Sequence, residues 1–318
     1  MPRTRTEKLI RHKRRRNGIL VPLLEDLFQR PVEIESDEDV AWITGVLEQM
    51  VARQHARTNA PLFSPSQMAS CLRYVYLLKH HKELGISKTS SARIEPHFYF
   101  FNGNFLHLKW QFALYKLEKY VNDPAIFTLH GVEVPIISKH GDHGGTVDAL
   151  VSIEGEPIIP DFKGLNVRTF SEITRGYVPV QYASQLSNYG MLYNASIRNG
   201  NSPKISRGLL VSENKGGPDP KHLIALQETE IEIKAHLPEV RRRLEVLREH
   251  GKENSIPPPE CQTTGSVQFL GCPFKKFCKE EIKEIQRQRA KSESQDAERL
   301  AVSIPKGRRN NRSRRNSK

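Results

Sequence analysis

Two acids and one lysine stand at a spacing that can do chemistry. Gly145-Thr146-Val147-Asp148 lies in one apolar segment, and Pro157-Ile158-Ile159-Pro160-Asp161-Phe162-Lys163 forms the next. Side chains alternate along a strand, so Asp161 and Lys163 share a face and Phe162 turns into the core. A hairpin at Glu154-Gly155-Glu156 folds the segments together and brings Asp148 beside Asp161. Two carboxylates so placed hold a hard divalent cation, and the ammonium stands next to the water that the cation activates. The bland reading is a solvated hairpin with a cross-strand ion pair, because Asp-x-Lys at a strand end recurs by chance.

Two helical pairs add to this set. Gly103-x-x-x-His107 and Gln185-x-x-x-Tyr189 each place two residues on one helix face. The glycine allows close approach of backbone or substrate, and the imidazole points the same way. The amide and phenol can hold a water or a phosphate. A lone helical histidine is more often structural, and polar residues at the edge of an amphipathic helix also fit Gln185 and Tyr189.

The four cysteines are Cys71, Cys261, Cys272 and Cys278, the last three clustered as Cys-x10-Cys-x5-Cys. Four thiolates hold zinc or an iron–sulfur cluster. Zinc usually takes two CxxC knuckles, which this chain lacks, so the spacing favours a [4Fe–4S] cluster over Zn2+. Cys71 also reads as a core residue of an apolar helix face.

Elements must hold these groups in place. An apolar patch from Ile19 to Phe28 predicts a short docking helix. Ser36-Asp37-Glu38-Asp39 starts a helix whose Val40, Ile43, Leu47, Met50 and Val51 are spaced to pack on something. Ser64-Pro65-Ser66 opens a second helix with Met68, Cys71, Leu72, Val75 and Leu78 on its apolar face. A third covers about 103–121, with Phe105, Leu108, Phe112, Leu114 and Leu117 mostly inward. Strands follow at about 126–137, 145–153 and 157–163. A helix at about 179–198, strands at 208–212 and about 222–232, and a charged helix to His250 complete the order. This is an α/β domain with a mixed central sheet flanked by helices.

The 318 residues can bury a full core. The expected division is a basic arm and docking segment over 1–35, a main domain with a helical N-terminal part over 36–250, a proline linker and cysteine segment over 251–282, and a charged helix and basic tail over 283–318. The net charge of +13 sits at the ends. Residues 1–16 hold eight Lys/Arg against one acid, residues 306–318 hold seven and no acid, and the body between is nearly neutral. Such arms bind phosphate backbones, or serve as RNA-sticky tails or localisation signals. No apolar run reaches a membrane span, and no signal-peptide stretch follows the basic start.

Together these residues resemble the RecB-type branch of the PD-(D/E)XK nuclease superfamily, and within it the iron–sulfur members, which include CRISPR-adaptation nucleases and phage exonucleases. The resemblance runs from about Ser64 to Cys278. The family pattern is a helical His, a GxxD acid, a D/E-x-K strand and a Q-x-x-x-Y helix. His107, Asp148, Asp161 with Lys163, and Gln185 with Tyr189 match it in order. The upstream cluster cysteine of the family lies in a Ser-x-Ser…Cys-x-Arg stretch, matched by Ser64-Pro65-Ser66 through Cys71-Leu72-Arg73, and the last two cysteines are often spaced as Cys272 and Cys278 are.

The resemblance implies a restriction-endonuclease-like core with a C-terminal cysteine cluster segment. It implies Mg2+ or Mn2+ held by His107, Asp148, Asp161 and the backbone carbonyl of Phe162, with Lys163, Gln185 and Tyr189 completing the catalytic set. Cys71, Cys261, Cys272 and Cys278 would bind the cluster. The implied partner is DNA, single-stranded or with free ends, and the implied activity is exonuclease action in recombination, repair or phage DNA metabolism. The implied setting is the cytoplasm of a bacterial or phage-infected cell, away from membranes; no protein partner is implied. Two departures stand out: x10 rather than x2 separates Cys261 from Cys272, and Gly164 follows the lysine where the family often has Thr or Ser. The competing functions are a structure-specific endonuclease and a nucleic-acid-binding scaffold with a vestigial site.

Overall fold

The computed structural model describes residues 9–11, 18–55, 63–89, 95–196, 203–216, 226–261, 263, 270 and 272–303. The basic arm and tail fall outside these apart from residues 9–11, so their expected role in binding phosphates lies outside the described residues. The chain divides into two units, Met1–His80 with Ala92–Pro258 and His81–Ser91 with Pro259–Lys318.

In the first unit the elements run β1 (Leu9–Arg11), α1 (Val21–Leu27), α2 (Asp37–His55), α3 (Leu72–His80), α4 (Glu95–Val121), β2 (Phe127–Ile137), β3 (Gly144–Ile153), β4 (Glu156–Leu165), α5 (Val167–Thr174), β5 (Tyr177–Pro179), α6 (Val180–Ser196), β6 (Arg207–Asn214), β7 (Leu226–Glu232) and α7 (Ile233–Glu253). A five-stranded sheet in the order β2-β3-β4-β6-β7 forms its centre. The β4–β6 pair is parallel and the other three pairs are antiparallel. The expected mixed α/β architecture is thus present. The short strand β1 pairs with β5 outside this sheet.

Helices cover both faces. On one, Leu24 of α1 and Trp110, Leu114 and Leu117 of α4 pack on Phe127, Val151, Ile158, Phe162 and Val211. On the other, Leu186, Tyr189 and Leu192 of α6 and Ile173 of α5 pack on Ile159, Leu165, Leu210 and Ile231. Trp110 stacks on Phe162 with 5.7 Å between centroids and 6° between planes. Burying Phe162 is worth about 1.5–3 kcal/mol. A one-residue slip of β4 would turn Phe162 away from Trp110 and drive Asp161 and Lys163 into the apolar layer under α4, so this packing fixes the face they occupy.

Three sequence expectations need correction. The Ser64 signal is real, with Ser64 and Gln67 forming a reciprocal capping box, but it opens only a 3-10 turn over Pro65–Gln67. The helix starts at Leu72 because Arg243 of α7 binds the carbonyls of Met68 and Ser70, which an α-helix would have used internally. On α2 the expected Met50 is buried and Ile43 half-buried, joined by Val46 and Trp42, whereas Val40, Leu47 and Val51 are exposed. Phe105 of α4 is also exposed. No described helix is long and apolar enough to cross a membrane.

The start of the docking segment is capped by one side chain. Glu228 of β7 accepts the backbone N–H groups of Ile19, Leu20 and Val21, each at 2.8 Å, and so serves the otherwise unpaired start of α1. Glu228→Ala strands three donors beside a buried position. We expect a loss of about 3 kcal/mol in chemical denaturation, with the expected range set by hydrogen bonds to charged groups; a loss below about 0.5 kcal/mol would show that water replaces the carboxylate.

In the second unit, α8 (Lys275–Ser303) begins beside a small core of Cys261, Cys278 and Ile282. Phe274 is fully buried and lies 5.7 Å from the His81 ring, and Thr89 N–H donates to Pro273 O.

Candidate active site

The acids meet where two strands part. Glu154 and Gly155 both take positive φ, the geometry of a two-residue hairpin turn, and pair Ile153 with Glu156. The ladder continues through Ser152–Pro157 and Val151–Ile158 and stops there. Extended three residues further, the same register sets Asp148 opposite Asp161. In place of the ladder, the Asp148 Oδ2 accepts the Phe162 N–H at 3.0 Å.

The other predicted residues converge on this seam. His107 Nδ1, from α4, lies 3.1 Å from Asp148 Oδ1. Lys163 Nζ lies 2.9 Å from each oxygen of Asp161. Gln185 Nε2, from α6, donates to Asp161 Oδ1 at 3.2 Å and to the Tyr189 hydroxyl at 3.3 Å. Gly145 opens the GxxD stretch of β3, where Pro65 and Tyr189 crowd it; a Cβ there would stand 2.8 Å from Pro65 Cδ and 3.4 Å from Tyr189 Cε1. Gly103 has open space around it, consistent with access at that end of α4.

Two further residues escaped the sequence reading. Gln111, one turn beyond His107, is fully buried and donates to the Asp148 carbonyl at 2.9 Å and to Glu133 Oε1 at 2.8 Å. Glu133 sits on β2 between the pairs Val132–Ala149 and Val134–Val147, which places it in line with Asp148. Glu133, Asp148 and Asp161 therefore occupy one row across three neighbouring strands. The four-residue step from His107 to Gln111 was visible in the sequence, but Glu133 looked like an ordinary member of an alternating strand.

The electrostatics follow from crowding these charges out of water. Burial opposes charge on His107, but Asp148 outweighs it and raises the imidazole pKa above its ordinary value. Burial alone would lift Asp148; His107, Lys163 and the Phe162 N–H together hold it below the usual carboxylate range. Burial lifts Asp161, Lys163 pulls against this, and Asp148 adds to the rise, so Asp161 ends above its usual range. Burial opposes charge on Lys163, yet Asp161 and Asp148 keep it firmly cationic. Burial and both carboxylates push the Tyr189 phenol up.

Asp161 Oδ2 is buried and makes no hydrogen bond, because the Lys163 approach to it is badly angled. Two facing carboxylates, one held low and the other pushed high, describe a site short of positive charge. Hard oxygens with one imidazole suit a small divalent cation. Among the described residues, no three His, Cys, Asp or Glu side chains already form a metal cage; His107 and Lys163 instead lie against the acids. Of the cysteines, Cys261 and Cys278 are buried together, Cys272 is half-buried just before α8, and Cys71 is buried ahead of α3 in the first unit.

No protein-family model matches the chain, and a comparison with curated proteins finds no match. Among solved structures, the crystal structure of SSO0001 aligns at 17% identity over 82% of this chain and 93% of its own, with a TM-score of 0.38. An alkaline exonuclease (LHK-Exo) from Laribacter hongkongensis aligns at 18% identity over 63% of this chain and 95% of its own, with a TM-score of 0.34. Neither likeness is close enough to assign a family.

Proposed function

We propose that this chain is a metal-dependent deoxyribonuclease of the PD-(D/E)XK type that acts on single-stranded DNA or DNA ends. The observation that carries the reading is the opened seam, where Asp148 and Asp161 face each other with His107 on one and Lys163 on the other. A chance ion pair on a solvated hairpin would not be buried between two helices, nor joined by Gln185 and Tyr189.

Asp148, Asp161, His107 and the Phe162 carbonyl would hold Mg2+ or Mn2+. The N–H and C=O of one strand residue point toward the same neighbouring strand, so the Phe162 carbonyl faces the seam its N–H already spans. The cation would supply charge neutralisation at the scissile phosphate and a more acidic water. Lys163, kept cationic by the two acids, orients that water and stabilises the negative charge that grows on phosphorus-bound oxygen. Gln185 ties Asp161 to Tyr189 and so anchors the acid to α6. Gln111 holds the main chain of Asp148 in place.

The deciding experiment offers end-labelled linear and circular single-stranded DNA with Mg2+ or Mn2+. Degradation of the linear strand with the circle spared supports exonuclease action. Cleavage of the circle replaces it with endonuclease action, and binding without cleavage in either metal reduces the protein to a scaffold.

The four cysteines remain assigned to a [4Fe–4S] cluster, with Zn2+ as the alternative. Support comes from their spacing and from the burial of Cys261 and Cys278 against Ile282. Anaerobically purified protein should be brown, with roughly four iron and four sulfide per chain. Colourless protein with one zinc decides for the alternative.

A further inference from the structure

We propose that Lys215 is a phosphate-binding residue of this site, which contacts the nucleic-acid backbone beside the scissile position; this rests on the nuclease reading above. The starting point is Gly164, the residue that follows Lys163 on β4. A Cβ there would meet Lys215 Cε at 2.2 Å, Leu106 Cδ2 at 3.1 Å and Lys215 Nζ at 3.2 Å. The volume that a side chain at 164 would fill is occupied by a second lysine, laid across the main chain. The missing side chain after Lys163 leaves the room in which the end of Lys215 lies, and a Thr or Ser there would push that end aside.

The placement is held from several directions. Lys215 N–H donates to Leu165 O at 2.8 Å, one step beyond the last parallel pair, Leu165–Asn214. The Asn214 side chain turns back to accept the Gly216 N–H at 3.0 Å. Gly216 lies directly against Val167 at the start of α5. The lysine backbone is thus an extension of the sheet rather than a loose loop.

Its charge is unspent. Glu213, two residues earlier, is engaged by Lys109 Nζ at 2.6 Å and Trp110 Nε1 at 2.8 Å. Among the described residues no carboxylate pairs with the Lys215 ammonium. Its stem lies over Gly164 while the residue as a whole is exposed, the usual way a lysine covers a surface and keeps its head in water. Leu106 shares the cover, and the next residue on α4 is His107. The ammonium is therefore free to meet an anion on the α4 side of β4, beside the turn that carries His107. A phosphodiester strand brings one negative charge per nucleotide past that point.

The test uses the full chain and a fluorescent single-stranded oligonucleotide. Binding is followed by anisotropy in EDTA across a salt series, and cleavage is followed in Mg2+ or Mn2+. Lys215→Gln should weaken binding on the order of tenfold at low salt. It should flatten the slope of log affinity against log salt by about 0.7, the value for one contact on a single strand. KM should rise with kcat nearly unchanged, and Lys215→Arg should recover most of the loss. Gly164→Thr should reproduce the binding defect by displacing the lysine. A Lys215→Gln protein with wild-type affinity, salt slope and KM overturns the inference while a cleaving wild type leaves the nuclease reading intact. A wild type that neither binds nor cleaves DNA overturns both.

Discussion

Asp161→Asn should yield a folded protein that does not cleave DNA. The substitution keeps the shape of the side chain and the contact with Gln185, and removes one of two facing charges. The charge is what the reaction needs. Losing an outer partner of a metal ligand typically costs 10- to about 100-fold, so loss of the ligand carboxylate itself should exceed about 100-fold and approach 1,000-fold. Stability should change little. The carboxylate is already pushed above its usual range by burial and by Asp148, and Lys163 retains Asp148 as a counter-charge. The melting temperature should move by no more than about 4 °C, which corresponds to ~1 kcal/mol in a domain of this size. Turnover in Mn2+ above about one hundredth of wild type would mean that the metal carboxylates lie elsewhere.

Lys163→Met should also lose cleavage, by about 100- to 1,000-fold if the ammonium stabilises transition-state charge, yet it should bind metal at least as tightly as wild type. Lys163 sits 2.9 Å from both oxygens of Asp161 and competes with a cation for them. Removing it frees those oxygens. Calorimetry with Mn2+ separates the two roles, since a collapse in metal affinity would make Lys163 part of the metal-holding structure. The metal-free variant should also change its pH response. Without the ammonium, burial and Asp148 push Asp161 further upward, with His107 left to pull against them. A carboxyl whose folded pKa is raised stabilises the fold below its unfolded pKa, and that contribution is lost as pH rises through the folded value. Metal-free Lys163→Met should therefore be more stable near pH 4 than near pH 7, and saturating Mn2+ should remove the difference.

The central strands were legible because their signals are local. Alternation, a turn at Glu154-Gly155 and a run of apolar residues define β3 and β4, and the face of Asp161 follows from that of Phe162. The His107, Gln185 and Tyr189 positions followed from helical spacing. What escaped depends on contacts between distant residues. The start of α3 is set by Arg243 reaching the carbonyls of Met68 and Ser70. The contribution of Glu133 depends on its place in line with Asp148 on the next strand. What lies over Gly164 is the end of Lys215, half a hundred residues later. The helix α5 and the strand β5 were missed because eight and three residues are too few to display a period. On α2 Ile43 and Met50 turn inward as their spacing implies, while Val46 and Trp42 take the places expected for Val40, Leu47 and Val51.

The early end of the β3–β4 ladder has a consequence for the motions of the chain. Along the paired stretch of β3 and β4 an amide is held by a neighbouring main chain, whereas at Phe162 it is held by a carboxylate. Such an amide exchanges its hydrogen through a small local opening rather than through loss of the sheet. The free energy of that opening is set largely by one charge-assisted hydrogen bond. Backbone order between Asp161 and Lys163 is thereby tied to the ionisation of Asp148, and the Phe162 N–H reports on that charge from within the protein.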